Sequence, residues 1–188
     1  KNDVKAGVLY FTATKESPIE SHLYALNTKK GDIVKLTSGE GTHYQRVSND
    51  SKYFVDFYSS ITIPNKVDLY STSGKIVKNI LTASNPYDGY DVPLPELVNL
   101  KAEDGTVLYG RIIKPINFDP AKKYPVVVYV YGGPHSQLVT NSWMGGSRLW
   151  ESYMANKGFI LFTLDNRGTS NRGADFEQAI HRNLGTIE

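Results

Sequence analysis

The sequence predicts two dissimilar parts in tandem: propeller-like antiparallel β units through residue 83, then the opening of a mixed α/β sheet from residue 97. Three observations predict this. A strand-and-turn pattern in the first part returns at a spacing of roughly 40–50 residues, the period of propeller blades. The run Tyr124-Pro125-Val126-Val127-Val128-Tyr129-Val130-Tyr131 is apolar without alternation, as in a strand covered on both faces, and it breaks at once into Gly132-Gly133-Pro134-His135. Beyond it, apolar residues recur at helical and then at strand spacing.

In the first part, Val8–Ala13 and His22–Leu26 read as strands, followed by the turn Lys29-Lys30-Gly31-Asp32 and the strand Ile33–Leu36. Tyr53–Phe57, Val67–Tyr70, the turn Ser73-Gly74-Lys75 and Ile76–Ile80 repeat that order. Phe57 stands to Phe11 as Leu69 stands to Leu23, and Gly74 follows Gly31 at nearly the same offset. Thr42–Val47 supplies an inner strand for the second unit, and no equivalent precedes the first, which is therefore expected to be truncated. The same strands also suit a sandwich or meander of roughly four to seven strands, and the residues alone leave the two open.

Residues 84–96, rich in proline and tyrosine, read as a linker between parts spanning 1–83 and 97–188. Leu97–Leu100 and Val107–Ile113 flank the hairpin turn Glu103-Asp104-Gly105, and Pro115 ends the second strand. After the Tyr124–Tyr131 strand, Ser147 is placed as a helix N-cap, with Leu149, Trp150, Tyr153 and Met154 on one face and Gly158 as the stop. Phe159–Leu164 reads as another buried strand, leading into Asp165-Asn166-Arg167-Gly168. A second helix is expected near Asp175, turning Phe176, Ala179, Ile180 and Leu184 inward and stopping at Gly185. Hairpin, strand, helix, strand, helix is the opening of a mixed sheet.

Composition narrows the function. The 188 residues carry a net charge of +2, with the basic residues scattered, so no nucleic-acid footprint is expected. No apolar run approaches the ~20 residues of a membrane helix, and Lys1–Gly7 has no signal-peptide core. With no cysteine there is no disulfide, thiolate metal site or cysteine nucleophile. The four histidines, His22, His43, His135 and His181, lie too far apart in sequence for metal-ligand spacing, so no metal or other cofactor is expected.

Three segments carry a resemblance to a known family. Tyr131-Gly132-Gly133-Pro134-His135-Ser136-Gln137, Asp165-Asn166-Arg167-Gly168-Thr169-Ser170-Asn171-Arg172-Gly173 and His181-Arg182-Asn183-Leu184-Gly185 together resemble the prolyl oligopeptidase clan of serine peptidases, in particular the bacterial members of its dipeptidyl peptidase IV branch. The resemblance implies β-propeller-like antiparallel β blades followed by the first part of an α/β-hydrolase sheet, incomplete in this chain. It implies release of N-terminal dipeptides, after Pro or Ala, from peptide substrates with a free N-terminus, in a periplasmic or secreted bacterial setting. It makes Tyr131 the side-chain donor of the oxyanion hole. Chemistry agrees: a phenol, with a pKa near ~10, stays protonated at neutral pH and donates to a developing alkoxide. The alternative for Tyr131 is a tyrosine that closes a core at a strand end. His135 is expected to fix the loop through a backbone hydrogen bond. Asp165, Arg167 and Arg172 are expected to form an ion-pair network that orders the loop beside the site, with substrate contact the minor alternative.

The nucleophile elbow Gly-x-Ser-x-Gly does not occur. Gly145-Gly146-Ser147-Arg148-Leu149 lacks the final glycine, and Gly168-Thr169-Ser170-Asn171-Arg172-Gly173 has one residue too many. Ser147, Asp165 or Asp175, and His181 occur in triad order, but Ser147 is better explained as a cap. The expectation is thus an internal piece of a longer enzyme, holding an oxyanion-hole tyrosine and no triad, inactive alone. Open strand edges suggest homo-oligomers or edge-mediated association. Two other functions fit less well: a non-catalytic β-repeat binding module, and a piece of an esterase or lipase, whose oxyanion loop is typically His-Gly-Gly-Gly rather than Tyr-Gly-Gly-Pro.

Overall fold

The computed structural model describes all 188 residues. Three four-stranded sheets divide between two compact units.

The first unit comprises Lys1–Asn85 together with Asn141–Trp143. Its two sheets are antiparallel meanders in chain order. One holds β1 (Asn2–Asp3), β2 (Val8–Ala13), β3 (His22–Asn27) and β4 (Ile33–Lys35); the other holds β5 (Thr42–Val47), β6 (Tyr53–Ser59), β7 (Lys66–Ser71) and β8 (Ile76–Thr82). Four-stranded meanders repeated along the chain are propeller blades, and neither sheet closes on itself. The single meander weighed as an alternative is not what forms. The first blade is also not short of a strand: Asn2 and Asp3 pair with Leu9 and Val8. Two residues are too few to show any period, which is why this strand could not be read from the sequence.

Tyr10, Leu23, Phe54 and Tyr70, from β2, β3, β6 and β7, point inward and with Leu36 form the core; burial alternates along β6 and β7, whereas β3 is buried on both faces at His22–Tyr24. Phe54 and Tyr70 are register partners whose rings stack at 4.9 Å, an arrangement worth about 0.5–1.5 kcal/mol beyond area burial. Beside this core His22 and His43 stand ring to ring at 4.9 Å, both fully buried. His43 Nδ1 lies 2.7 Å from Asp56 Oδ2, and His22 Nδ1 lies 3.1 Å from the Thr37 hydroxyl. Asn141 is satisfied wholly within this unit: its amide donates to Ile19 O at 2.7 Å and its side chain to Glu20 Oε1 at 2.7 Å, while its Oδ1 accepts from the Ile61 amide at 3.1 Å.

The second unit comprises Pro86–Thr140 and Met144–Glu188. Its sheet, in the order β11-β12-β10-β9, is mixed. The strands are β9 (Pro95–Lys101), β10 (Val107–Ile113), β11 (Val126–Val128) and β12 (Ile160–Leu164); β11 runs parallel to β12, and the other pairings are antiparallel. β9 starts at Pro95, inside the stretch read as a linker. Ile113, Leu161 and Ala155 form a small apolar core.

Four expectations for this unit are corrected. The Tyr124–Tyr131 strand is only three residues long; it is the edge strand, with Val127 packed against the core and Val126 and Val128 on an open face. The first helix, α1 (Leu149–Asn156), turns Glu151, Ser152 and Ala155 inward and leaves Leu149, Trp150 and Tyr153 exposed. Its inner face is polar because it meets a buried arginine and free carbonyls: Ser152 Oγ donates to Pro93 O at 3.1 Å. Ser147 is not the cap. Its hydroxyl donates to Met144 O at 2.6 Å, and the Arg148 amide is capped instead by Glu151 Oε1 at 3.0 Å, half of a capping box. The second helix, α2 (Ala174–Gln178), ends well before Gly185, since Arg182 takes a left-handed φ of 60° and the chain breaks into turns; Leu184 is exposed.

Candidate active site

The parallel strands β11 and β12 set the site. Ligands in α/β sheets gather beyond the carboxyl ends of such strands, and two loops leave there: Tyr129–Thr140 from β11 and Asp165–Gly173 from β12. The Tyr129 amide donates to Phe162 O at 2.8 Å, extending the strand pairing by one step. Tyr131 follows, 58% exposed. Gly132 takes a φ of +71°, which turns the chain sharply. Gly133 then passes under the tyrosine: a Cβ there would stand 2.9 Å from Tyr131 Cε1, so any side chain would push the ring aside.

The two loops are tied together. The His135 amide donates to Gly168 O at 2.9 Å, as the expected backbone anchor, and its ring pairs with Glu177. Asn171 Nδ2 donates to Gln137 Oε1 at 2.7 Å. Asp165, buried at the end of β12, accepts the Leu138 and Val139 amides at 2.8 and 3.0 Å. Burial pushes its carboxyl above the ordinary range, against the pull of these donors and of Arg111 and Arg172.

The expected Asp165–Arg167–Arg172 network does not form. Arg167 pairs with Asp104 on the hairpin turn. Arg172 lies over the Phe176 ring at 4.1 Å and donates to Val107 O at 2.7 Å, and its burial lowers its pKa. Asp165 instead serves two backbone amides of the neighbouring β11 loop. Nor is a triad assembled: the Ser147 hydroxyl is engaged with Met144 O, and Asp165 with two amides. No three His, Asp or Glu side chains converge in a way that could hold a metal.

Sequence reasoning missed the ion pair beneath these loops. Arg111 on β10 and Glu151 on α1, each 2% exposed, meet at 2.8 Å. A pair separated by 40 residues leaves no local signal; the one trace is a glutamate within an otherwise apolar helix start.

Comparisons with known proteins fall on both units. The model of the dipeptidyl peptidase IV N-terminal region matches residues 1–65, and that of the prolyl oligopeptidase family matches residues 147–188. The chain belongs to the dipeptidyl peptidase IV branch of the prolyl oligopeptidase family. Mouse dipeptidyl peptidase 8 is 34% identical over 192 residues, which is 96% of this chain and 21% of the relative. Dipeptidyl peptidase 4 of Trichophyton tonsurans is 31% identical over 198 residues, 100% of this chain and 25% of the relative. Among solved structures, a Bacteroides ovatus protein assigned as a dipeptidyl aminopeptidase IV superposes with a TM-score of 0.88 at 45% identity, covering 98% of this chain and 26% of that one. Porphyromonas gingivalis dipeptidyl peptidase 4 gives 0.88 at 31% identity, covering 97% and 26%. The chain thus spans between a fifth and about a quarter of the length of these dipeptidyl peptidases.

Proposed function

We propose that this chain forms the oxyanion-binding side of a serine dipeptidyl peptidase, in which the Tyr131 hydroxyl donates a hydrogen bond to the substrate oxygen that becomes an alkoxide. The observation that carries this reading is the placement of Tyr131: a solvent-accessible phenol on a Gly-Gly-Pro turn at the end of parallel strand β11, in a loop pinned on its far side by Asp165. A donor held in place before reaction needs no reorganisation when charge develops. The nucleophilic serine attacks the carbonyl of the second residue of a peptide with a free N-terminus, the C–N bond breaks, and the dipeptide remains as an acyl-enzyme that water releases. Serine, base and acid are supplied from outside these 188 residues, which by themselves do not hydrolyse peptides. Cleavage after Pro or Ala and export to the periplasm or beyond belong to the same proposal and rest on the family; association through open strand edges rests on the unpaired edges themselves.

The test is Tyr131→Phe in the full-length protein, assayed with an alanyl-proline chromogenic substrate. Loss of one oxyanion donor costs about 10²–10³ in kcat, with KM little changed; an unaltered kcat refutes the role. Fluorophosphonate labelling of the 188-residue chain, read by intact mass, checks the second part: no adduct is expected, and a stoichiometric one contradicts it.

A further inference from the structure

Arg111 is a fully buried cation for which the chemistry above has no use. Its guanidinium gathers four acceptors from separate elements. Nη1 donates to the carbonyls of Leu138 (2.9 Å) and Gly145 (2.7 Å), and Nη2 donates to Glu151 Oε2 (2.8 Å) and the Thr163 hydroxyl (3.3 Å). Leu138 is therefore gripped at both ends: its carbonyl by buried Arg111, its amide by buried Asp165. Packing leaves no slack there, since a Cβ on Gly146 would lie 2.9 Å from Leu138 O and 3.5 Å from Arg111 Nη1. With the Tyr129 amide fixed on Phe162 O, the turn that carries Tyr131 is held before and after. Glu151 neutralises the cation and, through Oε1, caps α1 at Arg148.

We propose that Arg111, charge-balanced by Glu151, is a positioning residue for Tyr131: it fixes the far end of the Tyr131 loop by joining the Leu138 and Gly145 carbonyls. The proposal rests on the oxyanion role of Tyr131. A buried ion pair contributes little to stability against apolar residues of the same volume. What it does supply is direction, since a guanidinium presents a rigid fork of donors that can hold two carbonyls at once. No apolar side chain reproduces that.

The experiment uses the full-length peptidase and four forms: wild type, R111M/E151L, Y131F, and the triple variant. Removing both charges avoids stranding either one, but it takes from the Leu138 and Gly145 carbonyls and the Arg148 amide the partners they have, so R111M/E151L is expected to unfold earlier than wild type while remaining folded at the assay temperature. Its kcat is expected to fall about 10–100-fold, the scale of a misplaced catalytic group, with KM changed by less than about threefold. In the Y131F background the same pair of substitutions is expected to have almost no further effect, because both act through one hydroxyl. A folded R111M/E151L enzyme with kcat within about twofold of wild type overturns the proposal, and so does an equal loss in both backgrounds, which marks a purely structural role. If R111M/E151L does not fold, Arg111→Lys takes its place: it keeps the charge beside Glu151 but loses the fork, and the same kcat loss and non-additivity are expected at smaller scale. If Y131F itself keeps full kcat, the oxyanion role fails and the positioning role falls with it, a result distinct from failure of the Arg111 variants alone.

Discussion

Gly168 is where the two site loops meet, and Gly168→Ala should destabilise the second unit for two separable reasons. The backbone there has a φ of +98°, and an added Cβ would stand 2.3 Å from Ile180 Cδ1 and 3.0 Å from its Cγ1. A non-glycine residue in that backbone region costs about 1–2 kcal/mol, and forcing a methyl into packed side chains costs about 1–3 kcal/mol more. The sum, about 3 kcal/mol, corresponds to a fall of roughly 10–20 °C in the midpoint for a unit of this size. Only the second part can be relieved. Ile180→Val removes Cδ1, the atom that clashes; alone it should cost about 0.5–1.5 kcal/mol. Combined with Gly168→Ala, it should instead recover about 1 kcal/mol or more, a favourable coupling between the two sites. Calorimetry of the four forms of the full-length protein measures the cycle. A neutral Gly168→Ala, or a double variant whose cost is the sum of the singles, would refute the steric reasoning. Because the Gly168 carbonyl also receives the His135 amide, the single variant should lower kcat as well as stability.

Two further outcomes follow from the buried charges. Asp56→Ala leaves His43 Nδ1 without its partner in a fully buried site; the first unit should lose about 2–4 kcal/mol, read as an earlier thermal transition, and a loss under about 0.5 kcal/mol would contradict the importance of that pair. Asp165 has a carboxyl pKa raised by burial, so the folded chain binds that proton more tightly than the unfolded one. Its contribution favours the folded state below the ordinary carboxyl range and is lost as pH rises through the raised value. The stability difference between wild type and Asp165→Asn should therefore shift against wild type as pH rises through that window; parallel pH–stability curves would contradict it.

The blades were legible because strand-forming runs and turn residues recur in the same order along the sequence; which side chains face the core, Tyr10, Leu23, Phe54 and Tyr70 among them, came from the structure. The order of elements in the second unit was legible for the same reason. Burial there was not. The valines of β11 carry the pattern of a covered strand but lie at a sheet edge, and periodicity reports what a strand is suited to, not which neighbours it has. Of the apolar stripe read on α1, Met154 packs on the core, but Leu149, Trp150 and Tyr153 face outward, because buried Arg111 pairs with Glu151 and brings that side of the helix inward, a contact with no local signal. At the site, the turn at Tyr131 and its glycines could be read directly, since the backbone chemistry is local. The Leu138 clamp could not, because its two charges come from β10 and from the end of β12.

The most direct test of the Tyr131 role is a crystal structure of the full-length enzyme carrying a dipeptide aldehyde on its nucleophilic serine. The hemiacetal oxygen stands where the alkoxide of the intermediate would be. The Tyr131 hydroxyl is expected within about 2.5–3.0 Å of that oxygen, a normal O–H···O hydrogen bond. A Tyr131 hydroxyl beyond about 3.5 Å, with the oxygen held by other donors, would show that this tyrosine closes a strand end and does not stabilise the intermediate.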